Sequence, residues 1–435
     1  MTTLGITDGQ VLRPDTTVEA ADVLIDQESG EILDVEPDIG ASADEILDAS
    51  DSLVMPGLVN AHGHAAMTLL RGYADDKPLE AWLREDVWPV EAELTGEDVA
   101  AGTRLAMLEM IRSGTTAFVD MYFEVPDVVA AIEEAGMRAR VGHGVVTVGK
   151  DDEAAREDAA ESIAVAETFD GAADGRVRTA FMPHSLTTVS EEVFREFVPQ
   201  AREAGVPVHI HVNETTHEVD PIVEERGMRP VEYAREVGLF DPESDQRDFL
   251  AHGVHSDSGE VEALAETGGG VVHCPASNMK LASGMAPVQA MLDAGVPVGL
   301  GTDGAASNND LDLFGEMRDA AMLGKLASED ASAVAAPDVV RMATEGGATV
   351  AGLPGGRVEP GAAADLAVVG FDAPHLTPTH DHVSHLAYAA TGSDVRHTVC
   401  DGRVLMRDRE VRTLDAEAVR TEATERAFDL VSRAE

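Results

Sequence analysis

Two histidines one residue apart close an apolar run, Pro56-Gly57-Leu58-Val59-Asn60-Ala61-His62-Gly63-His64. In an extended strand, side chains at i and i+2 share a face. His62 and His64 therefore present two imidazoles side by side, a metal-chelating geometry. Paired histidines also occur as hydrogen-bonded structural groups, so the pair needs further ligands. The chain supplies them at the ends of later apolar runs. His211 closes Val206-Pro207-Val208-His209-Ile210-His211, His252 lies in Leu250-Ala251-His252, and Asp303 closes Gly299-Leu300-Gly301-Thr302-Asp303. His209 faces the same way one pleat deeper and reads as a buried supporting residue. Alone, a strand-end histidine is more often structural than a ligand, and Asp303 could cap a turn. Together these residues, on four strand ends, point to a metal site.

The chemistry follows from the ligand types. His62, His64 and His211 offer neutral nitrogens suited to Zn²⁺, and Asp303 offers an oxygen; iron would also accept this set. A water in the open position would have its pKa lowered toward neutral. Asp303 can both touch the metal and take the water's proton, while His252 could orient the hydroxide or stabilise developing charge. Glu214, three residues past His211, suits a proton shuttle to a leaving nitrogen; the bland alternative is a solvated loop carboxylate. A two-metal site of this kind commonly needs a lysine at the end of the fourth strand. No lysine occurs between Lys150 and Lys280, so one metal per subunit is expected.

These residues must be carried by a repeating scaffold. From residue 56 an apolar strand, a loop and an amphipathic helix closed by glycine recur. Strands are expected at 58–64, 116–122, 139–146, 178–184, 206–212, 249–254, 270–274 and 297–303, with helices including 97–113 and 337–351. Strands alternating with helices predict a parallel sheet, and eight of them predict a closed (β/α)8 barrel with its active site at the strand C-terminal ends. Residues 4–55 and the region after 357 read instead as short strands. The expected fold is thus α/β: a catalytic barrel at 56–356, inserted into a small β-sandwich built from 1–55 and 357–435, with a surface helix at 415–434.

Composition bounds the setting. The 435 residues carry a formal net charge of -50, and 44% are hydrophobic. Such a surface repels nucleic acid and anionic membranes, yet the apolar content is too high for a disordered acidic chain. A folded enzyme of a high-salt cytoplasm is expected. No run is apolar enough to span a bilayer, and the N-terminus lacks a basic region followed by an apolar core, so no signal peptide is expected. Cys274 and Cys400 are too few for a disulfide framework. Cys274, beside His273, is expected to be a packed thiol, because no base is placed to activate it.

The motifs resemble the amidohydrolase superfamily, and within it the 5-methylthioadenosine/S-adenosylhomocysteine deaminases, over nearly the whole chain. The carrying stretches are 56–64, Trp-Pro-Val-Glu (88–91), Met-Pro-His-Ser (182–185), His-Ile-His-Val-Asn-Glu (209–214), Ala-His-Gly-Val-His (251–255), Pro-Ala-Ser-Asn-Met-Lys-Leu-Ala-Ser-Gly (275–284) and Gly-Thr-Asp-Gly-Ala-Ala-Ser-Asn-Asn (301–309). The last two belong most specifically to the nucleoside deaminase branch. The resemblance implies hydrolytic deamination of adenine at C6, a small-molecule nucleoside substrate and a homo-oligomeric enzyme. His62, His64, His211 and Asp303 would hold the metal. Glu214 would protonate the ring nitrogen, Asp303 would accept the water proton, and His252 would assist. Glu91 would accept hydrogen bonds from the ribose hydroxyls, and His184 would contact substrate; Glu91 is marked out by the resemblance alone. One departure stands out: His143 occupies the position where relatives often carry an arginine for the carboxylate of S-adenosylhomocysteine. A neutral imidazole cannot make the bidentate clamp of a guanidinium, which predicts a preference for 5'-methylthioadenosine, 5'-deoxyadenosine or adenosine. Rival readings are a relative acting on guanine, cytosine or a chlorotriazine, and a non-catalytic scaffold that would normally have lost its metal ligands.

Overall fold

The computed structural model describes residues 2–434. Eight parallel strands make a barrel: Leu58–Asn60, Thr115–Tyr122, Arg138–Val145, the broken strand Val177–Thr179 and Met182–Pro183, His209–Val212, Phe249–His252, Gly270–His273 and Val298–Leu300. Strands one to four pair in sequence, as do five to eight. Two seams close the ring. At one, Phe181 N–H donates to the Pro207 carbonyl and His211 N–H to the His184 carbonyl, both at 3.0 Å. At the other, Ala61 N–H donates to the Leu300 carbonyl at 2.8 Å and Asp303 N–H to the His62 carbonyl at 3.1 Å. Val59, Val119, Met121, Met182, Phe249 and Val272 fill the interior, so the barrel has a packed floor and only its rim is free for chemistry.

Two strand ends differ from expectation. The first strand stops at Asn60 and the eighth at Leu300, so His62, His64 and Asp303 sit on loops just past the pleat. The i, i+2 pleat therefore does not orient the histidine pair. Hydrogen bonds from those loops do. Three rim residues hold left-handed backbone: Asn213 (φ 60°), His252 (φ 75°) and Asp303 (φ 60°). That conformation costs a residue with a Cβ roughly 1–2 kcal/mol, and such strain collects at functional sites.

The helix Gly96–Arg112 starts at Thr95, whose side chain and that of Asp98 cap each other's backbone N–H. It buries Val99, Leu108 and Ile111 and leaves Leu105 half-buried. The single helix expected at 337–351 is instead Ala336–Arg341, a π-turn Met342–Gly346 and Gly347–Ala351. Here the chain passes so close beneath the barrel that a Cβ on Gly346 would overlap the Val298 carbonyl. The terminal helix Ala416–Ala434 is more than a surface helix. It buries Val419, Ala423 and Leu430, and Arg433 pairs with Asp98 of Gly96–Arg112 at 2.5 Å.

The remaining strands form two facing sheets. One is N-terminal throughout, in the order Glu31–Glu36, Asp22–Asp26, Thr3–Thr7, Glu45–Asp48. The other has seven strands and mixes both ends of the chain, with Ser52–Pro56 lying antiparallel to Leu366–Gly370. Leu4, Ile6, Val23 and Ile25 share a core with Val54, Leu366, Val368 and Val399, which makes a sandwich. Buried Arg138, on the third barrel strand, donates to Asp365 at 2.7 Å and Asp401 at 2.6 Å. It thereby ties the barrel to the sandwich strands. Among the described residues no helix is long and apolar enough to cross a membrane.

Candidate active site

The imidazoles are oriented from behind. His64 Nδ1 bonds the Met121 carbonyl at 2.7 Å, and His211 Nδ1 bonds the His184 carbonyl at 2.6 Å. A carbonyl can only accept, so each Nδ1 carries a proton, which leaves Nε2 as the nitrogen turned toward the rim. His62 is held through a relay. His209 Nδ1 donates to the Phe249 carbonyl at 3.1 Å, which leaves His209 Nε2 to accept from His62 Nδ1 at 2.8 Å. His209 is fully buried and stacks on Phe249 with ring centroids 4.1 Å apart. His252 Nδ1 lies 3.0 Å from Asn278 Oδ1. On Asp303, Oδ2 accepts from Ser277 Oγ at 2.6 Å and Ser307 Oγ at 2.7 Å. Its Oδ1 faces His62 Nε2 at 3.4 Å and His64 Nε2 at 3.2 Å.

The expected residues therefore meet at one rim. Ligand atoms of His62, His211, His252 and Asp303 all lie within 4.8 Å of one another, and His64 joins them through Asp303. His62 Nε2 is buried and has no hydrogen-bond partner, although its tautomer makes it an acceptor. A divalent cation fits this donor set, in which imidazole nitrogens and a carboxylate oxygen converge. The charges agree. Burial holds His62 down at about 4. Burial also lowers His64, but the Asp303 carboxylate outweighs it and draws His64 up to about 9. Burial pushes Asp303 up, yet the two imidazoles pull it well below the usual carboxylate range. A cation would take the place of the proton that Asp303 now attracts.

The remaining candidates surround this centre. Glu214 Oε2 lies 3.8 Å from His252 Nε2, and burial raises its carboxyl. Glu91 accepts from the Tyr122 hydroxyl at 2.8 Å. Burial raises Glu91 to about 7, against the pull of that hydrogen bond. It stands on Trp88–Glu91, a helix reached through the π-turn Leu83–Val87. His184 bonds Thr188 Oγ1 through Nδ1 at 2.9 Å, and its ring lies 4.7 Å from that of His211; burial holds it down at about 4. His143 lies on the third barrel strand, Arg138–Val145, as expected. It is buried, and its Nε2 bonds Asp158 at 3.0 Å. The same carboxylate takes Lys150 at 2.8 Å, so that cation is already neutralised. Cys274 is fully buried, and burial raises its thiol well above the ordinary value, as expected of a packed thiol.

Several supporting residues escaped the sequence. Asp120 accepts the Ala65 N–H at 2.7 Å just past His64. Glu218, whose carboxyl burial raises to about 8, accepts the Glu214 N–H at 3.0 Å. Asn60 and Thr302 join strands one and eight, with the Thr302 N–H donating to Asn60 Oδ1 at 2.9 Å. Ser277, Asn278 and Ser307 did carry a signal, since all three lie within the motifs at 275–284 and 301–309.

A closed α/β barrel with imidazoles and one carboxylate gathered at its strand C-terminal ends defines a metal-centred barrel hydrolase. The chain belongs to the amidohydrolase family, whose model matches residues 53–405. It is 67% identical over 435 residues, covering 100% of both chains, to the 5-methylthioadenosine/S-adenosylhomocysteine deaminase of Natronomonas pharaonis. It is 46% identical over 406 residues, 93% of each chain, to the 5'-deoxyadenosine deaminase of Methanosarcina mazei. A crystal structure of an adenosine deaminase from Xanthomonas campestris with bound zinc superposes with TM-score 0.92 at 36% identity, over 99% of both chains.

Proposed function

We propose that this protein is a metal-dependent hydrolytic deaminase. It converts the adenine 6-amino group of 5'-methylthioadenosine/S-adenosylhomocysteine-type nucleosides, 5'-deoxyadenosine or adenosine to the inosine-type product, with release of ammonia. The observation that carries this reading is the convergence of ligand atoms from His62, His211, His252 and Asp303 on one rim, with His64 facing Asp303 and Glu214 beside His252. We assign His62, His64, His211 and Asp303 as ligands of one Zn²⁺ per subunit. His252 is set aside as an assisting group because its Nε2 points toward Glu214, whereas His64 Nε2 points at Asp303. The cation, when bound, supplies Lewis-acid polarisation of a water.

The chain's own groups then move the protons. Asp303 takes one proton from the water as its oxygen adds to C6. Glu214, whose carboxyl burial raises, donates a proton to N1. His252 stabilises the charge that develops between them. As the C6–N bond breaks, Asp303 returns its proton to the departing ammonia, and Glu214 recovers one from the new C6 hydroxyl, leaving the carbonyl. Glu91, steadied by Tyr122, accepts from the ribose hydroxyls, and His184 contacts the substrate. Lys150 is paired to Asp158, His143 turns to the same carboxylate, and Arg156 pairs with Glu196 at 2.8 Å, so among the described residues these nearby cations already have acidic partners that an amino-acid tail would have to displace. Nucleosides without that tail are the preferred substrates. The test is ammonia release from a panel of adenine nucleosides, with guanine, cytosine and a chlorotriazine alongside, using metal-stripped and reloaded protein. Release confined to the other heterocycles would overturn the reading.

A further inference from the structure

Asp303 can serve the chemistry only if one of its oxygens is kept occupied and the other left open. Two serines do this, and they arrive on separate short helices, Pro275–Lys280 and Ala305–Asn308. Neither helix is long enough to hold its own position, so something must fix them relative to each other. One buried side chain touches both. Glu316, on Leu313–Ser328, is 1% exposed. Its Oε2 accepts the Ala276 N–H at 3.2 Å, one residue before Ser277, and its Oε1 accepts Asn308 Nδ2 at 2.6 Å, one residue after Ser307. Asn308 Nδ2 also donates to the Thr302 carbonyl at 2.8 Å, on the residue before Asp303. On the solvent side Lys280 spans the same gap, donating to the Ala306 carbonyl at 3.0 Å and to Asn309.

We propose that Glu316 is a positioning residue for the deamination: it clamps the helices carrying Ser277 and Ser307, so that both hydroxyls stay on Asp303 Oδ2 and Oδ1 alone is presented to the imidazoles. This rests on the assignment of Asp303 above. Glu316 touches neither substrate nor reacting atoms; it acts two hydrogen bonds away. Partners at this remove typically change activity or metal affinity by about 10–100-fold.

The experiment is a double-mutant cycle on the full chain. Glu316→Ala is expected to lower kcat by about 10–100-fold with KM changed less than about threefold, and to speed loss of metal to a chelator. Glu316→Gln, whose carbonyl oxygen can still accept from Asn308 but whose NH2 faces the Ala276 N–H, is expected to recover part of the loss. On a Ser277→Ala/Ser307→Ala background Glu316→Ala is expected to add little, because groups acting through one another are not additive. An equal further loss on that background, or a fall in melting temperature with kcat and chelator release unchanged, overturns the proposal. If Glu316→Ala does not fold, Asn308→Ala opens the same clamp from the other side and is read in the same way. Failure of the deaminase reading itself would show separately: no substrate turns over, while chelator release still reports on the clamp.

Discussion

His209 offers the sharpest perturbation, because it touches neither metal nor substrate in the proposed site. In His209→Phe the ring still stacks on Phe249, but the acceptor for His62 Nδ1–H is gone. His62 is 0% exposed, so no water replaces that acceptor. An unpaired buried donor costs roughly 1–3 kcal/mol. His62 can escape this only by moving its proton to Nε2, which removes the lone pair facing Asp303. Where metal-free His62 takes that escape, binding has to restore the costly tautomer, and the affinity falls by a factor of about 5–150. The assay is competition with a chromophoric chelator across the variant series. His209→Gln, whose amide oxygen can accept, should restore part of the loss. Melting curves of the metal-free proteins check the fold. A metal affinity within about twofold of the parent, in a folded His209→Phe protein, would refute the claim that the relay fixes the His62 tautomer.

Glu214→Gln should lower kcat by about 10²–10⁴ with KM nearly unchanged, measured as ammonia release, as expected of a lost general acid. The ratio of kcat/KM for 5'-methylthioadenosine over S-adenosylhomocysteine should exceed one; a clear preference for the latter would contradict the pairing of Lys150 with Asp158. Glu218, raised by burial to about 8, binds a proton in the folded chain that it has lost in the unfolded chain between about pH 4.5 and 8. Its contribution to stability is full below the unfolded value and fades as pH rises through 8. The melting temperature of Glu218→Gln should therefore fall less than that of the parent from pH 5 to pH 8. The net charge of -50 predicts a melting temperature that climbs with KCl, since screening relieves self-repulsion; full stability in dilute buffer would count against it.

The barrel was legible because glycine-closed helices alternate with apolar strands, and each expected strand lies within a few residues of its place. His211 and His252 fall on strand residues and could be read as such. The pair at 62 and 64 was found by spacing, yet its orientation comes from His209 and Met121, residues remote in sequence, so the pleat argument placed both side chains at the rim through a local geometry that the chain does not use. Glu91 had no local signal, since its place depends on a π-turn and on Tyr122 from another strand. Glu316 was equally silent, because a buried carboxyl acquires meaning only when two short helices meet. The π-turn at Met342–Gly346 was hidden because it answers to the approach of Val298, not to its own composition.

The two seams of the barrel have one more consequence. His62 and Asp303 flank the seam between strands eight and one, while His211 lies on the seam between strands four and five. In the proposed site, a cation held by these residues would join the two half-barrels where their backbone ladders are thinnest. It would act as a keystone as well as a reagent. Demetallation should loosen amide protection first at Ala61 and His211, leaving the interiors of the two four-strand arcs shut.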